Sequence, residues 1–233
     1  MVGWGTVLGW FARRVCRVSV SGEAHLNILD RGGPALIVVN HTTAVDVVVV
    51  LGTLHNMGFT CDAPCEGVCH HRRHIRPIGT SDLWKFPFSK QACEASGIIP
   101  VDEHDGRAGY RAGLKALHSG ACVLIYPEGD TKNNAEASPR RWRRGASGLA
   151  TSGRATVLPI AHHDSRALGA GSHRRAIMTG FSRFFHPPKI HLTIGTPCLP
   201  EALASMSARE ANEYLEARLQ STWRDASDRT PAR

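Results

Sequence analysis

Residues 35–46 read Ala-Leu-Ile-Val-Val-Asn-His-Thr-Thr-Ala-Val-Asp, and the rest of the sequence is organised around this stretch. Its first five residues are apolar and mostly β-branched, which predicts a buried strand. The apolar segment 44–54 predicts a helix, with N-cap oxygens offered by Thr42 and Thr43. A buried strand that runs directly into a helix indicates an α/β fold, in which sites gather at the carboxyl ends of strands.

His41 lies at the end of this strand, and Asp46 follows it about one helical turn into the next element. A carboxylate folded back onto the imidazole would fix the tautomer and stabilise the imidazolium that forms when His41 takes a proton. Such a pair without a nucleophile suits an enzyme whose substrate supplies the hydroxyl. The alternative is that His41 only caps the helix or bonds to the backbone, because this spacing also occurs by chance.

Length and charge restrict the classes of protein to consider. A chain of 233 residues is long enough for one complete α/β domain. The formal net charge of +8 favours anionic partners such as acidic headgroups, the phosphates of CoA, or nucleic acid. Zinc-finger spacing and aromatic stacking motifs are missing from the sequence, so we expect no nucleic-acid partner.

Localisation follows from three further observations. No apolar run approaches the roughly 20 residues of a membrane span, and no signal peptide is evident. The seven cysteines form no disulfide framework, so a reducing compartment is the simpler assumption. We therefore expect a cytoplasmic protein, peripheral on the inner face of the membrane.

An amphipathic N-terminal helix is predicted over residues 1–17. Its apolar face would carry Trp4, Val7, Leu8, Phe11 and Val15, with Arg13, Arg14 and Arg17 towards its end. Tryptophan and arginine together suit an anionic lipid surface, but the same face also suits docking on the protein's own core. Both interpretations remain open.

Strands and helices alternate through most of the chain, which predicts a mainly parallel, partly mixed central sheet flanked by helices in a single domain over 18–225. A capping box opens the last helix at Ser207 and Glu210, and residues 226–233 are expected to form a frayed tail. Besides the strand at 35–39, the predicted strands are 18–20, 97–101, 121–125, 156–160, 175–181 and 189–195. Besides the helices at 1–17 and 44–54, the predicted helices are 82–95, 105–118, 146–152 and the one from 207.

A segment rich in cysteine and histidine spans residues 60–76. Zinc takes such ligands, but the spacing is not the usual Cys-x2-Cys, and Pro64 and Gly67 prevent one helix from carrying all of them. A reduced loop without metal is the favoured interpretation. The low-probability zinc ligands are Cys61, Cys65, Cys69, His70, His71 and His74.

A second polar cluster follows the strand at 121–125, where the sequence reads Tyr126-Pro127-Glu128-Gly129-Asp130. Arginines then surround Trp142. A solvated loop is one interpretation, and an anion-binding edge beside the cleft is the slightly favoured one. The candidate anion-binding residues are Lys132, Arg140, Arg141, Arg143 and Arg144.

Four blocks together resemble the glycerolipid acyltransferase family typified by bacterial 1-acylglycerol-3-phosphate acyltransferases, over roughly residues 17–195. The blocks occur in the family's order: Asn40-His41-Thr42-Thr43-Ala44-Val45-Asp46 for N-H-x4-D, Ser81 to Pro87 with Gly97 to Asp102 for the acceptor-site helix and strand, Tyr126-Pro127-Glu128-Gly129 for F-P-E-G, and Val157-Leu158-Pro159-Ile160 for V-x-P-V.

The resemblance implies an activity. His41, oriented by Asp46, would act as general base on the hydroxyl of a lysophospholipid-type acceptor. That hydroxyl would attack an acyl thioester of CoA or acyl carrier protein, without an acyl-enzyme and without a further cofactor. Backbone amides near the site would stabilise the oxyanion. The implied acceptor-binding residues are Glu128, Gly129, Asp102, Glu103, Asp130 and Thr131.

Two departures from the family pattern concern the acceptor. Glu103 and Thr131 stand where the family usually has arginines that hold the acceptor's phosphate, and Asp130 adds a negative charge. A non-phosphate hydroxyl or amine acceptor is therefore an alternative, unless Lys132 or the arginines around Trp142 compensate. Further alternatives are a catalytically weak membrane-binding protein and, less favoured, a zinc-dependent nucleic-acid binder.

Overall fold

The computed structural model describes residues 4–43, 45–60, 73–82, 90–91, 93–94, 96–102, 105–129, 138–163 and 187–230. The described helices are α1 (Trp4–Val15), α2 (Asn27–Asp30), α3 (Asp46–Asn56), α4 (Gly106–His118), α5 (Gly145–Ser152), α6 (Pro200–Leu203) and α7 (Ala208–Arg229), with a 3₁₀ turn at Glu23–Leu26. The described strands are β1 (Arg17–Ser21), β2 (Ala35–Val39), β3 (Phe59–Thr60), β4 (Arg73–Thr80), β5 (Ile99–Val101), β6 (Cys122–Ile125), β7 (Thr156–His163) and β8 (Lys189–Ile194).

These strands form one mixed sheet in the order β1-β8-β7-β2-β6-β4-β3, and β5 pairs with β4. Among the described strands, the β7–β8 pair is antiparallel and the other pairs are parallel. Strand β2 lies between β6 and β7, so its carboxyl end is flanked by the ends of both neighbours. The predicted single α/β domain with a mainly parallel, partly mixed sheet is confirmed.

Both faces of the sheet are covered, as the unbroken apolar run of β2 requires. Leu36 and Val38 pack into a core with residues of α4, α5 and α7. Ile37 and Val39 belong to a second core with residues of α3. Every residue of β2 is buried, which explains why this strand shows no alternation between apolar and polar residues.

Helix α1 is packed on the protein's own core. Ala12 and Val15 are fully buried, and Gly52 of α3 admits the close approach of α1, since a Cβ at Gly52 would lie 2.8 Å from the Cβ of Ala12. The opposite face remains open, with Val7 41% and Trp10 53% exposed. Among the described helices, none is long and apolar enough to cross a membrane.

Capping interactions mark the ends of α4 and the start of α7. Asp105 caps α4 by accepting hydrogen bonds from the backbone N–H groups of Arg107 and Ala108. Gly120, just past the end of α4, has φ +79°, a conformation that favours glycine. The capping box of Ser207 and Glu210 opens α7.

Four predicted boundaries are wrong. Strand β4 occupies a segment expected to be a loop, because its polar and basic residues conceal the strand in the sequence. Strand β7 continues through His163 instead of ending at residue 160. Helix α3 begins at Asp46, since Asp46 itself organises the preceding turn. Residues 226–229 are not a frayed tail: α7 continues to Arg229, because Ala226 is fully buried.

Some predictions fall outside the described residues. They include the strand at 175–181, most of the helix at 82–95 and the last three residues of the tail. Of the six candidate zinc ligands, His74 alone belongs to the described part, where it lies on β4 with its imidazole against Gly97.

Candidate active site

The turn between β2 and α3 is built around the carboxylate of Asp46, which is fully buried. Asp46 Oδ2 accepts the backbone N–H of Thr43 at 2.7 Å and that of Thr42 at 2.5 Å. The hydroxyls of both threonines also donate to this carboxylate. The N-cap prediction is wrong for both threonines, because Val45 is the N-cap residue of α3 and its side chain makes no capping hydrogen bond. The Thr43 hydroxyl instead accepts the backbone N–H of Val45 at 3.1 Å.

His41 contacts the same carboxylate, with 3.2 Å between its Nδ1 and Asp46 Oδ2. An ionised carboxylate only accepts hydrogen bonds, so Nδ1 carries the proton and Nε2 of the neutral ring remains a base. The ring lies against Tyr126, with 4.3 Å between the ring centroids. The His41 side chain is 15% exposed, whereas Asp46 has no exposed surface. This arrangement gives a fixed imidazole that is partly exposed to solvent.

Asp46 is held as an anion. Burial alone would raise the pKa of its carboxyl, but the electrostatic attraction of the neighbouring His162 and His41 imidazoles and the hydrogen bonds from His41 and Thr43 outweigh burial. The pKa of Asp46 therefore lies well below its usual range. A negative charge is thus held beside His41 Nδ1.

Glu128 reaches the dyad from the end of β6. Its Oε1 accepts the backbone N–H of His41 at 2.9 Å, and its Oε2 accepts Arg140 Nε at 3.2 Å. Burial raises the pKa of Glu128, while the His41 N–H and the Arg140 guanidinium partly offset that effect. Glu128 thus fixes the His41 backbone and joins the arginine segment, residues 140–144, to the β2–α3 turn.

Gly129 lets a second arginine approach. Its φ of +80° favours glycine, and a Cβ there would overlap the guanidinium of Arg143. Trp142, between the two arginines, is buried in the core, and its backbone N–H donates to Glu216 of α7 at 2.7 Å. Arg140 and Arg143 therefore border the site, and their role in anion binding stays a prediction.

His162, which sequence reasoning did not select, also belongs to this cluster. Its Nε2 lies 2.8 Å from the Asn40 carbonyl oxygen and 3.5 Å from Asp46 Oδ2. One feature of the sequence pointed to this contact. His162 follows the predicted strand 156–160, Asn40 and His41 follow the predicted strand 35–39, and the carboxyl ends of parallel strands meet at the same edge of a sheet. Because the sequence predicts that β7 ends at residue 160, His162 falls beyond the predicted strand.

The remaining predicted residues divide into three groups. Asp102 is exposed directly after β5, whose carboxyl end lies at the same edge of the sheet as that of β4. Arg141 and Arg144 are exposed at the start of α5. Four further predicted residues lie outside the described residues: Glu103, Asp130, Thr131 and Lys132.

The amides closest to His41 are already engaged. The N–H groups of His41, Thr42 and Thr43 bind carboxylates, and that of Gly129 donates to the Tyr126 carbonyl at 3.1 Å. These four amides are therefore not available to bind an oxyanion in this conformation. Within the described part of the chain, we find no cluster of three or more metal-ligating side chains that could hold an ion.

The family model for acyltransferases matches residues 17–163, which include His41, Asp46, Glu128 and His162. The chain belongs to the acyltransferase family. The resemblance inferred from the four sequence blocks is confirmed, and the protein is an acyltransferase enzyme. A search among curated proteins finds no significant match.

Among solved structures, the acyltransferase fold recurs in PlsC from Thermotoga maritima, a 1-acyl-sn-glycerophosphate (LPA) acyltransferase. The TM-score is 0.71 at 16% sequence identity, and the match covers 98% of this chain and 81% of PlsC. At this identity the likeness establishes a shared fold. Substrates have to be argued from the residues of the site.

Proposed function

We propose that this acyltransferase moves a fatty acyl group from CoA or acyl carrier protein to the hydroxyl of a lysophospholipid-type acceptor. The observation that carries the proposal is the contact of His41 Nδ1 with Asp46 Oδ2, at 3.2 Å, which leaves Nε2 as the base. The family match and the PlsC-like fold support the same chemistry. The acyl thioester is a co-substrate, and the reaction needs no further cofactor.

In the proposed reaction, His41 Nε2 accepts the proton of the acceptor hydroxyl as its oxygen attacks the thioester carbonyl carbon. Asp46 stabilises the resulting imidazolium. The tetrahedral intermediate then collapses with cleavage of the C–S bond, and the departing sulfur takes the proton from His41. The products are an ester and a free thiol, and the dyad returns to its starting state. General-base catalysis of this kind contributes about 10²–10⁴-fold.

Arg140 and Arg143 support an anionic acceptor despite the missing family arginines. Arg140 is bound to Glu128, and Arg143 lies over Gly129 at the edge of the site. We propose that Arg143 supplies positive charge for the acceptor phosphate or for the developing oxyanion. A non-phosphate hydroxyl or amine acceptor is the alternative, which Glu103 and Thr131 favour.

We propose further that the enzyme acts while bound peripherally to an anionic membrane surface. Val7 and Trp10 are exposed on one face of α1, and Arg14 follows on the same face at helical spacing. Exposed aromatic and basic side chains in this arrangement suit the interface of an anionic bilayer. A membrane location would also bring the enzyme to its lipid acceptor.

The test is thiol release from palmitoyl-CoA by the purified protein with a panel of acceptors. His41→Ala should reduce turnover by about 10²–10⁴-fold, whereas His118→Ala, at the exposed end of α4, should match the wild type. Circular dichroism checks that both variants are folded. Unchanged turnover in His41→Ala would contradict the assignment of the base.

The acceptor panel contains lysophosphatidic acid, lysophosphatidylcholine, a long-chain alcohol and a long-chain amine. Turnover with lysophosphatidic acid would support a phosphate site formed by the arginine segment. Turnover that depends on His41 and occurs with the uncharged or amine acceptors alone would support the alternative. If palmitoyl-CoA gives no thiol with any acceptor, the same panel is repeated with palmitoyl-acyl carrier protein as donor.

A further inference from the structure

A second histidine is attached to the backbone that carries the catalytic one. The Asn40 side chain accepts the backbone N–H of His162 at 2.9 Å and donates to the His162 carbonyl at 3.1 Å. The His162 imidazole adds a third contact between the two residues, because its Nε2 lies 2.8 Å from the Asn40 carbonyl oxygen. A carbonyl oxygen can only accept, so Nε2 carries a proton. Three hydrogen bonds thus join the ends of β2 and β7 at the residue before His41.

The same Nε2–H also faces Asp46 Oδ2 at 3.5 Å. The carboxylate therefore lies between two imidazoles, with His41 Nδ1 at 3.2 Å on the other side. The His162 side chain is fully buried, so water does not compete for this contact. Its Nδ1 has no hydrogen-bond partner among the described residues. The His162 ring therefore contacts Asn40 and Asp46 through Nε2.

We propose that His162 is a positioning residue of the active site. Its Nε2–H, shared between the Asn40 carbonyl and the Asp46 carboxylate, fixes both the backbone that carries His41 and the carboxylate that orients it. This role rests on the proposed function of His41 as general base. His162 touches neither donor nor acceptor in the proposed reaction and acts through Asn40 and Asp46.

An electrostatic consequence follows from the shared carboxylate. A donor at His162 Nε2 withdraws part of the negative charge of Asp46 from His41, so removing that donor should make His41 easier to protonate. Within the described residues, the charged or titratable groups around the pair are Asp46 from α3, His41, Tyr126 against the His41 ring, and beyond His41 the pair of Glu128 and Arg140. From β8 the residue opposite His162 is the apolar Leu192.

The first test is the tautomer of His162 in the wild-type protein, measured by NMR on protein labelled with ¹⁵N-histidine. The His162 signals are assigned by their loss in His162→Gln. We expect the Nε2–H form, with a ring proton protected from solvent exchange. The Nδ1–H tautomer, or rapid exchange of the ring proton, would overturn the proposal. This measurement needs no folded variant beyond the one used for assignment.

The second test compares His162→Gln with His162→Asn. Glutamine places an amide donor near the position of Nε2, whereas the shorter asparagine does not reach it. We expect the midpoint of the His41 titration, followed by NMR and assigned with His41→Ala, to lie at higher pH in His162→Asn than in the wild type. His162→Gln should leave the midpoint close to the wild-type value.

The matched control is His163→Asn, at the next residue of β7. The His163 ring lies edge-on to Trp223, with 5.7 Å between the ring centroids. The substitution should therefore leave the midpoint of the His41 titration unchanged. If His162 merely filled buried space, thermal stability would fall but the His41 midpoint would not move, and equal midpoints in all variants would overturn the proposal. Neither test uses a substrate, so both report on the position of His162 even if the thiol-release assay shows no acyl transfer. A negative result in one experiment therefore does not decide the other.

Discussion

At the scale of single residues, Asp46 is the group on which the site most depends. Its buried carboxylate accepts hydrogen bonds from Thr42, Thr43 and His41, which compensates for the cost of removing a charge from water. Because its pKa in the folded protein lies far below the ordinary value, its contribution to stability is present at neutral pH and is lost as the pH falls. The charge that stabilises this turn is therefore the one that orients His41 in the proposed mechanism.

We expect Asp46→Asn to lower the free energy of unfolding by about 1–3 kcal/mol at pH 7, because hydrogen bonds to a buried charge are lost. Between pH 7 and pH 3 the wild type should lose about 1 kcal/mol more than the variant, since the unfolded carboxyl begins to bind protons in this range. Denaturant unfolding at both pH values measures the difference. Exposed Asp225→Asn is the control, and parallel pH dependence in wild type and Asp46→Asn would contradict the charge assignment.

At the scale of elements, the turn after β6 brings the arginine segment to the dyad. Glu128 bridges the His41 backbone and Arg140, and Gly129 leaves the space that Arg143 occupies. The positions of Arg140 and Arg143 depend on the hydrogen bond between Trp142 and Glu216, because this bond holds residues 140–144 against α7. The turn thus determines which cations border the site.

We expect Gly129→Ala to destabilise the fold by about 1 kcal/mol through its positive φ and also to displace Arg143. If Arg143 contacts an acceptor phosphate, KM for lysophosphatidic acid should rise about tenfold or more, while KM for an uncharged acceptor stays the same. Gly32→Ala is the matched control, because its φ is +74° but a Cβ there meets open space. Equal KM values in both variants would exclude Arg143 from acceptor binding.

At the scale of the whole molecule, α1 combines two interpretations that the sequence left open. Ala12 and Val15 are buried against the core, whereas Trp10 remains exposed near basic residues. The net charge of +8 would reinforce attraction to an anionic bilayer at low ionic strength. The helix therefore belongs to the folded domain and keeps an exposed face, which is the one proposed to contact lipid.

We expect Trp10→Ser to lower the partition coefficient for anionic phosphatidylglycerol vesicles about tenfold, because an exposed aromatic ring no longer enters the interface. Co-sedimentation with anionic and with neutral vesicles measures binding. Leu199→Ser is the matched control, since Leu199 is 46% exposed but lies before α6, outside the α1 face. Equal loss of binding in both variants would contradict a specific role for α1.

The sequence by itself determined the class of fold and the dyad. Five apolar residues in β2 require a strand covered on both faces, and the spacing of His41 and Asp46 needs just one local turn to bring them together. Such features are encoded within a dozen residues, so no distant contact has to be known. The capping box of α7 was predictable for the same reason.

Contacts between distant segments could be decided by the tertiary structure alone. His162 and Asn40 are 122 positions apart, and they meet because β7 pairs with β2 in a register that no local pattern specifies. The placement of Arg140 on Glu128 likewise depends on the anchoring of Trp142 to α7. Local periodicity sets the elements, but sheet order and strand register decide which polar side chains share a buried site.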